Sequence, residues 1–209
     1  MAAMEDVLDL YRLPYDERYP VVCMDEKPYQ LLDEVREPVP MKPGKPRKID
    51  VEYIRKGTCS IFVYCQPLRG WGYAHARLRR TKRDWAEEIR WLLDDVFPRA
   101  KKVPLVSDNL NTHVISALYE AFPAPKARAL AKRLEMHHTP KHGSWLNIAE
   151  IQISVLARQC LCQRIPELAV LNHQLSAWNV TLSSAPHPVD WQFTSDDARI
   201  KLKHLYPKI

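Results

Sequence analysis

Apolar and polar positions along the chain alternate between two rhythms, and each rhythm predicts an element. Val21-Val22-Cys23-Met24 places four apolar residues in a row before Asp25-Glu26, the pattern of a strand covered on both faces. A short helix is predicted around Met4–Tyr11, followed by a loop holding Pro14 and Pro20. Pro38–Lys48, rich in proline and basic residues, reads as a surface loop. Ile49–Arg55 and Thr58–Gln66 read as two strands turning at Lys56-Gly57, with a third over Gly72–Leu78. Thr81 is the expected N-cap of a helix whose apolar residues Ala86, Ile89, Leu92, Leu93 and Val96 recur at helical spacing until Pro98. Val103–Ser107 is a short apolar strand ending at Asp108, with Pro104 at a position that needs no ladder donor. Helices are predicted over His113–Ala121 and Lys126–Arg133, and a strand over Leu134–His138. Further helices follow over Trp145–Cys162, Pro166–Ser183 and Asp196–Tyr206. No internal repeat or low-complexity segment interrupts this order.

An early antiparallel hairpin followed by βα units predicts an α/β domain, a mixed sheet flanked by helices. The expected division is a lead-in over residues 1–20, a main domain over 21–185 and a tail over 186–209, packing on that domain or extending from it. No run of about 18 apolar residues exists to span a membrane, and the acidic, polar start is unlike a secretory signal. The expected location is therefore the cytoplasm. Five cysteines at irregular spacing suggest neither a zinc site nor a disulfide framework, so they are expected to be reduced core thiols. A net charge of +6 permits a polyanionic partner without demanding one.

Three acidic residues change the picture. Asp25 is expected at the end of the first strand, on the face shared with Val21 and Cys23, and Asp108 directly after another strand. Glu150 falls on a polar stripe of Asn147, Glu150, Ser154 and Arg158 between two apolar stripes, so its helix is expected to be buried on most sides. Such a set suits two divalent ions roughly 3.5–4 Å apart, acting on a phosphodiester. Position alone leaves a second reading open, and favours it: strand-end aspartates often only cap turns or helices.

The segments Val22-Cys23-Met24-Asp25-Glu26-Lys27, Ser107-Asp108-Asn109-Leu110-Asn111-Thr112-His113 and Thr139-Pro140-Lys141-His142-Gly143-Ser144-Trp145-Leu146-Asn147-Ile148-Ala149-Glu150 resemble, in order, the motifs of mariner-like insertion-sequence transposases, the DDE endonuclease superfamily. The resemblance covers nearly the whole chain. It implies a ribonuclease-H-like fold, Asp25, Asp108 and Glu150 as catalytic metal ligands, and Mg²⁺ with Mn²⁺ as a substitute. It also implies cleavage at transposon ends with strand transfer into target DNA at TA sites. The implied partners are DNA and a second copy of the chain in the reaction complex, with nucleoid association. Asp25 follows the start so closely that the helix-turn-helix domains preceding it in the family are expected to be lacking here. A non-catalytic remnant that binds DNA or regulates by oligomerising is the alternative. A junction-resolving nuclease of the same fold would need a fourth acidic residue that the sequence does not identify. The 41 residues over 109–149 exceed the spacing in many relatives, with the extra length assigned to a helical insertion at Pro123–Leu134.

Around these motifs, His113 is read as orienting Asp108, contacting DNA or capping a helix. Asn147, expected on the same helical face as Glu150, is read as holding it, touching a phosphate or capping the helix. Lys141 and His142 precede a helix start where phosphate is favoured, with Gly143 permitting close backbone approach and Ser144 as the cap. Arg79 and Arg80, in the basic run Arg77–Arg83, are candidate DNA contacts, as is the run Lys42–Lys48. Trp145 is expected as a core anchor rather than a base-stacking surface. Glu87-Glu88 and Asp94-Asp95 are expected to face solvent.

Overall fold

A computed structural model describes residues 1–206. Helix α1 (Ala2–Tyr11) precedes three antiparallel strands, β1 (Val22–Glu34), β2 (Tyr53–Gln66) and β3 (Trp71–Arg77). Then come α2 (Lys82–Trp91), β4 (Val103–Ser107), α3 (Ser116–Ala121), α4 (Ala124–Arg133) and β5 (Leu134–His138). Helices α5 (Ala149–Gln159), α6 (Leu168–Ser184) and α7 (Ser195–Lys201) complete the chain. The sheet order is β3-β2-β1-β4-β5, with β4 and β5 parallel to β1. The expected mixed sheet with flanking helices is therefore what forms.

Two strands differ from expectation. β1 runs on through Pro28 to Glu34, so Asp25 stands inside it and not at its end. Of β1, only Val22 and Cys23 pair with β4, which leaves that edge of β1 open from Met24 onward and tolerates Pro28. Lys56-Gly57 makes no hairpin. β2 is continuous there, Gly57 has φ +101°, and the register with β1 slips between Gln30 and Leu32. A glycine with positive φ accommodates a bulge that bends a strand as readily as a turn that reverses it. The chain reverses instead over residues 35–52, where the basic loop is pinched by Val39↔Lys48 and Lys42↔Lys45 bridges.

Thr81 caps α2 as expected, in a capping box with Asp84. The helix then widens into a π turn over Leu92–Val96, where the Phe97 amide reaches the Leu92 carbonyl at 2.9 Å. Pro104 stands one residue ahead of the first β4 residue paired with β1. The segment expected to be a helical insertion is α4, which carries the crossover between β4 and β5 and buries Ala127 and Leu130.

Each sheet face has its own core. Val22, Met24, Phe62 and Tyr64 meet Trp85, Ile89, Leu92 and Leu118 on the α2–α4 side. On the other side, Val21, Cys23 and Val106 pack with α1, Leu146, Ile148 and Ala149, while Ile61, Val63 and Ala74 meet α5 and α6. Asn172 and Asn179 of α6 bind both backbone groups of Ala76 and Ala74, so the polar edge of β3 is covered rather than exposed. The tail folds back as well. Val189 donates to Pro67, and Arg199 and Ser195 bond Glu5 and Asp9 of α1. All five cysteines are free, but only Cys23, Cys59 and Cys65 are core residues; Cys162 is exposed.

The acidic pairs also divide. Glu88, expected in solvent, is 2 % exposed, holding Arg77 at 2.5 Å, His75 at 3.3 Å and the Tyr64 hydroxyl at 3.1 Å. Burial alone raises a carboxyl pKa, but His75 and Arg77 outweigh it and hold Glu88 below its usual range. Asp94 pairs with Lys126 and Arg133 and is only partly exposed. Among the described residues, no helix is long and apolar enough to cross a membrane.

Candidate functional site

Parallel pairing between β1 and β4 stops after Cys23 and Val106, and Asp25 and Asp108 follow on either side of the opening. Alternation along β1 decides the directions. Asp25 follows Val21 and Cys23 toward α5, and Glu26 follows Val22 and Met24 toward α2 and α3.

Glu26 is the residue that sequence reasoning missed. Its side chain is 2 % exposed, with Oε1 at 3.1 Å from His113 Nε2 and Oε2 at 3.6 Å from Arg80. His113 Nδ1 lies 2.9 Å from Asp108 Oδ1, yet the alignment is too poor for a formed hydrogen bond, and that buried oxygen has none. His113 is thus enclosed between two carboxylates and stacked on Trp85 with ring centroids 5.8 Å apart. Burial lowers its pKa, but Asp108 and Glu26 overcome this and raise it to about 9. At 1 % exposure His113 has no surface to offer DNA, and it lies against Asp108. The Asp108 carbonyl is fixed by Ser107 Oγ at 3.1 Å, His138 Nδ1 at 3.2 Å and His113 Nδ1 at 3.3 Å. The Asp-Glu pair at the end of an apolar run and the downstream histidine were the available signals. Their contact across 87 residues was not.

The Glu150 helix differs from expectation in two ways. Ser144–Leu146 forms a separate 3₁₀ turn, and the chain leaves helical geometry at Asn147, so Asn147 and Glu150 share no helical face. Asn147 is 2 % exposed. Its Nδ2 donates to the Met24 carbonyl at 2.8 Å, and its Oδ1 accepts from the Ala149 amide at 3.1 Å. This side chain, not Ser144, satisfies the helix start, because a short amide competes well for nearby backbone donors. Nor is α5 buried on most sides. Ala149 and Leu156 are buried, whereas Glu150, Ser154 and Arg158 are exposed and Ile151 is 49 % exposed.

Asp25 receives the Glu26 amide on Oδ1 at 2.7 Å. Burial, with the nearby Asp108, Glu150 and Glu26 carboxylates, raises its pKa to about 6 despite that hydrogen bond. Asp108 and Glu150 therefore both lie within electrostatic reach of Asp25. Among the described residues, no three His, Cys, Asp or Glu side chains form a ready-made metal cluster. The donor set still fits a hard cation: it is oxygen-only, and Asp108 keeps a buried oxygen that makes no hydrogen bond.

A family model described as "DDE superfamily endonuclease" matches residues 20–171. The chain belongs to that superfamily. Two solved structures share its fold: the Mos1 mariner paired end complex with Mn, at 16 % identity and TM-score 0.56, and the Mos1 strand transfer complex, at 15 % and 0.57. Each is matched over 86 % of this chain, which spans about half their length, 53 % and 52 %. No curated protein matches significantly. At such identities the likeness shows the fold alone: a ribonuclease-H-like mixed sheet flanked by helices.

In this DDE endonuclease domain, the remaining expected DNA contacts lie at the surface. Lys141 and His142 are exposed on a turn where His142 takes φ +64°, and neither has an ion-pair partner among the described residues. Gly143 is tightly packed: a Cβ there would meet Pro140 Cγ at 2.5 Å. Arg79 is exposed, while Arg80 is half-committed to Glu26 and Arg77 is spent on Glu87 and Glu88. Trp145 is no core anchor; it is 46 % exposed.

Proposed function

We propose that this domain performs metal-dependent phosphodiester chemistry on DNA: cleavage at transposon ends and strand transfer into target DNA at TA sites. The observation that supports this reading is that Asp108 and Glu150 lie within electrostatic reach of Asp25, where β1 pairs parallel with β4 and the start of α5 is bonded to β1. These three carboxylates would hold Mg²⁺, or Mn²⁺ in its place. Bound divalent ions would activate an attacking water or 3′-hydroxyl and stabilise the leaving oxygen. His113 and Glu26 set the Asp108 carboxylate from behind, and Asn147 fixes the start of α5 against β1. Lys141, His142, Arg79 and Arg80 would bind backbone phosphates, adding salt-dependent affinity. The working unit would be a pair of copies acting on two DNA ends at the nucleoid. The core catalytic unit would be residues 21–185.

Calorimetric titration of Mg²⁺ and Mn²⁺ into the chain, with an Asp108→Ala control and with or without a DNA duplex, tests the reading. Binding in the wild type that disappears in Asp108→Ala, followed by Mn²⁺-dependent nicking, is expected. Absence of metal binding even with DNA present would sink it and leave a non-catalytic DNA-binding module.

A further inference from the structure

We infer that Trp145 is a stacking platform for a nucleobase displaced from the duplex beside the reacting phosphate, an inference that rests on the DNA-processing reading above. Nearly half of this indole is exposed, although burying it would be favourable. One side of the side chain is backed by aromatic rings: Trp191 stacks on it with centroids 6.5 Å apart and planes at 20°, and Phe193 meets it edge-on at 5.7 Å. Trp191 is itself pinned by its Nε1 bond to the Phe193 carbonyl at 2.8 Å and by Tyr11 at 5.4 Å. The backbone beneath is held too. Leu146 is fully buried, its amide bonds the Gly143 carbonyl at 3.1 Å, and its carbonyl accepts the Tyr11 hydroxyl at 2.8 Å. The ring is therefore braced by its aromatic neighbours while much of the residue stays exposed, so a base stacking there would order little that is not already ordered.

Position supports the same occupant. Trp145 is two residues from Asn147, a span of at most about 7 Å, and Asn147 bonds the carbonyl of Met24, the residue before Asp25. That is a reach of a few base steps at roughly 3.4 Å each. Exposed Lys141, on the turn just ahead, supplies positive charge for the phosphates flanking such a base, with exposed His142 beside it. Every nucleobase has a π face, so this contact would be tolerant of sequence. It would favour DNA whose base is already unpaired, because extruding a paired base has a cost that an unpaired base escapes.

The test compares binding of the chain, in Mg²⁺, to a short duplex with one unpaired 2-aminopurine next to a 3′ end and to the same duplex fully paired. The wild type should quench the fluorescence and prefer the unpaired form at least fivefold, the weak end of about 1–3 kcal/mol per stacked base. Trp145→Phe should keep most of the preference, and Trp145→Ala should lose both preference and quenching. Tyr53→Ala, an exposed aromatic at the far end of the β1–β2 ladder, should change neither. A Trp145→Ala protein that melts like the wild type and retains the preference overturns the platform. Metal binding without any preference in the wild type overturns the platform alone, whereas loss of both metal and DNA binding overturns the DNA-processing reading with it.

Discussion

The side-chain amide of Asn147 donates to the main-chain carbonyl of Met24 at 2.8 Å, tying the start of the Glu150 helix to the strand that carries Asp25. Two acids far apart in the chain are set relative to each other by one buried hydrogen bond. Replacing Asn147 with Ala leaves the Met24 carbonyl without this partner, at a cost of about 1–3 kcal/mol in stability. Urea unfolding should show that loss, and metal affinity should fall further than in a surface control such as Ser154→Ala. Asn147→Asp should be worse than Asn147→Ala, since it faces a carboxylate oxygen toward a carbonyl oxygen.

His113→Ala strips Glu26 of its closest partner. Breaking a buried pair while leaving one charge behind costs about 3–5 kcal/mol, and Arg80 at 3.6 Å should hold the loss toward the lower end. Chemical denaturation of His113→Ala, Glu26→Gln and the double variant should be strongly non-additive. Additive losses would mean that the two side chains do not depend on each other.

Glu88 gives the fold a pH dependence whose sign is fixed. Its folded-state pKa is lowered below the ordinary 4.5. The unfolded chain therefore binds more protons in that range, and the stabilisation present above pH 4.5 is lost as pH falls through the folded value. Thermal melts between neutral and acidic pH should fall less steeply for Glu88→Gln than for the wild type, although the variant starts from lower stability.

Gly70 has φ +65°, and a Cβ there would lie 2.5 Å from the His187 backbone. Gly70→Ala therefore combines left-handed strain of about 1–2 kcal/mol with a clash against the tail. Limited proteolysis should cut first within residues 185–195, and the melting temperature should drop. Unchanged cleavage kinetics would show that the tail is not held by this seam.

If Lys141 and Arg79 contact phosphates, Lys141→Ala and Arg79→Ala should each reduce the slope of log affinity against log salt by about 0.9. Affinity should fall by a similar factor on unrelated duplexes. A loss confined to one DNA sequence would indicate base reading instead.

Much of the fold is legible along the chain. β4 and β5 match their predicted spans, Thr81 caps α2 as expected, and α1 and α4 form over the predicted Met4–Tyr11 and Lys126–Arg133. The failures share a cause. Lys56-Gly57 is compatible with both a turn and a bulge, and only the facing strand selects the bulge. The apolar stripes of residues 145–162 suggest one buried helix, but Asn147 diverts the backbone and the face with Glu150, Ile151, Ser154 and Arg158 stays exposed.

The order of the motifs, the acidic chemistry of Asp25, Asp108 and Glu150, and the alternation that sends Asp25 and Glu26 to opposite faces were determined by the sequence itself. Local spacing fixes which way a side chain points. Tertiary structure decided that Glu26 is buried against His113, that Glu88 is a core ion pair, that Asn147 is a clamp and that Trp145 meets solvent. Burial and pairing depend on what an element distant in sequence lays over each position, and no local periodicity encodes that cover.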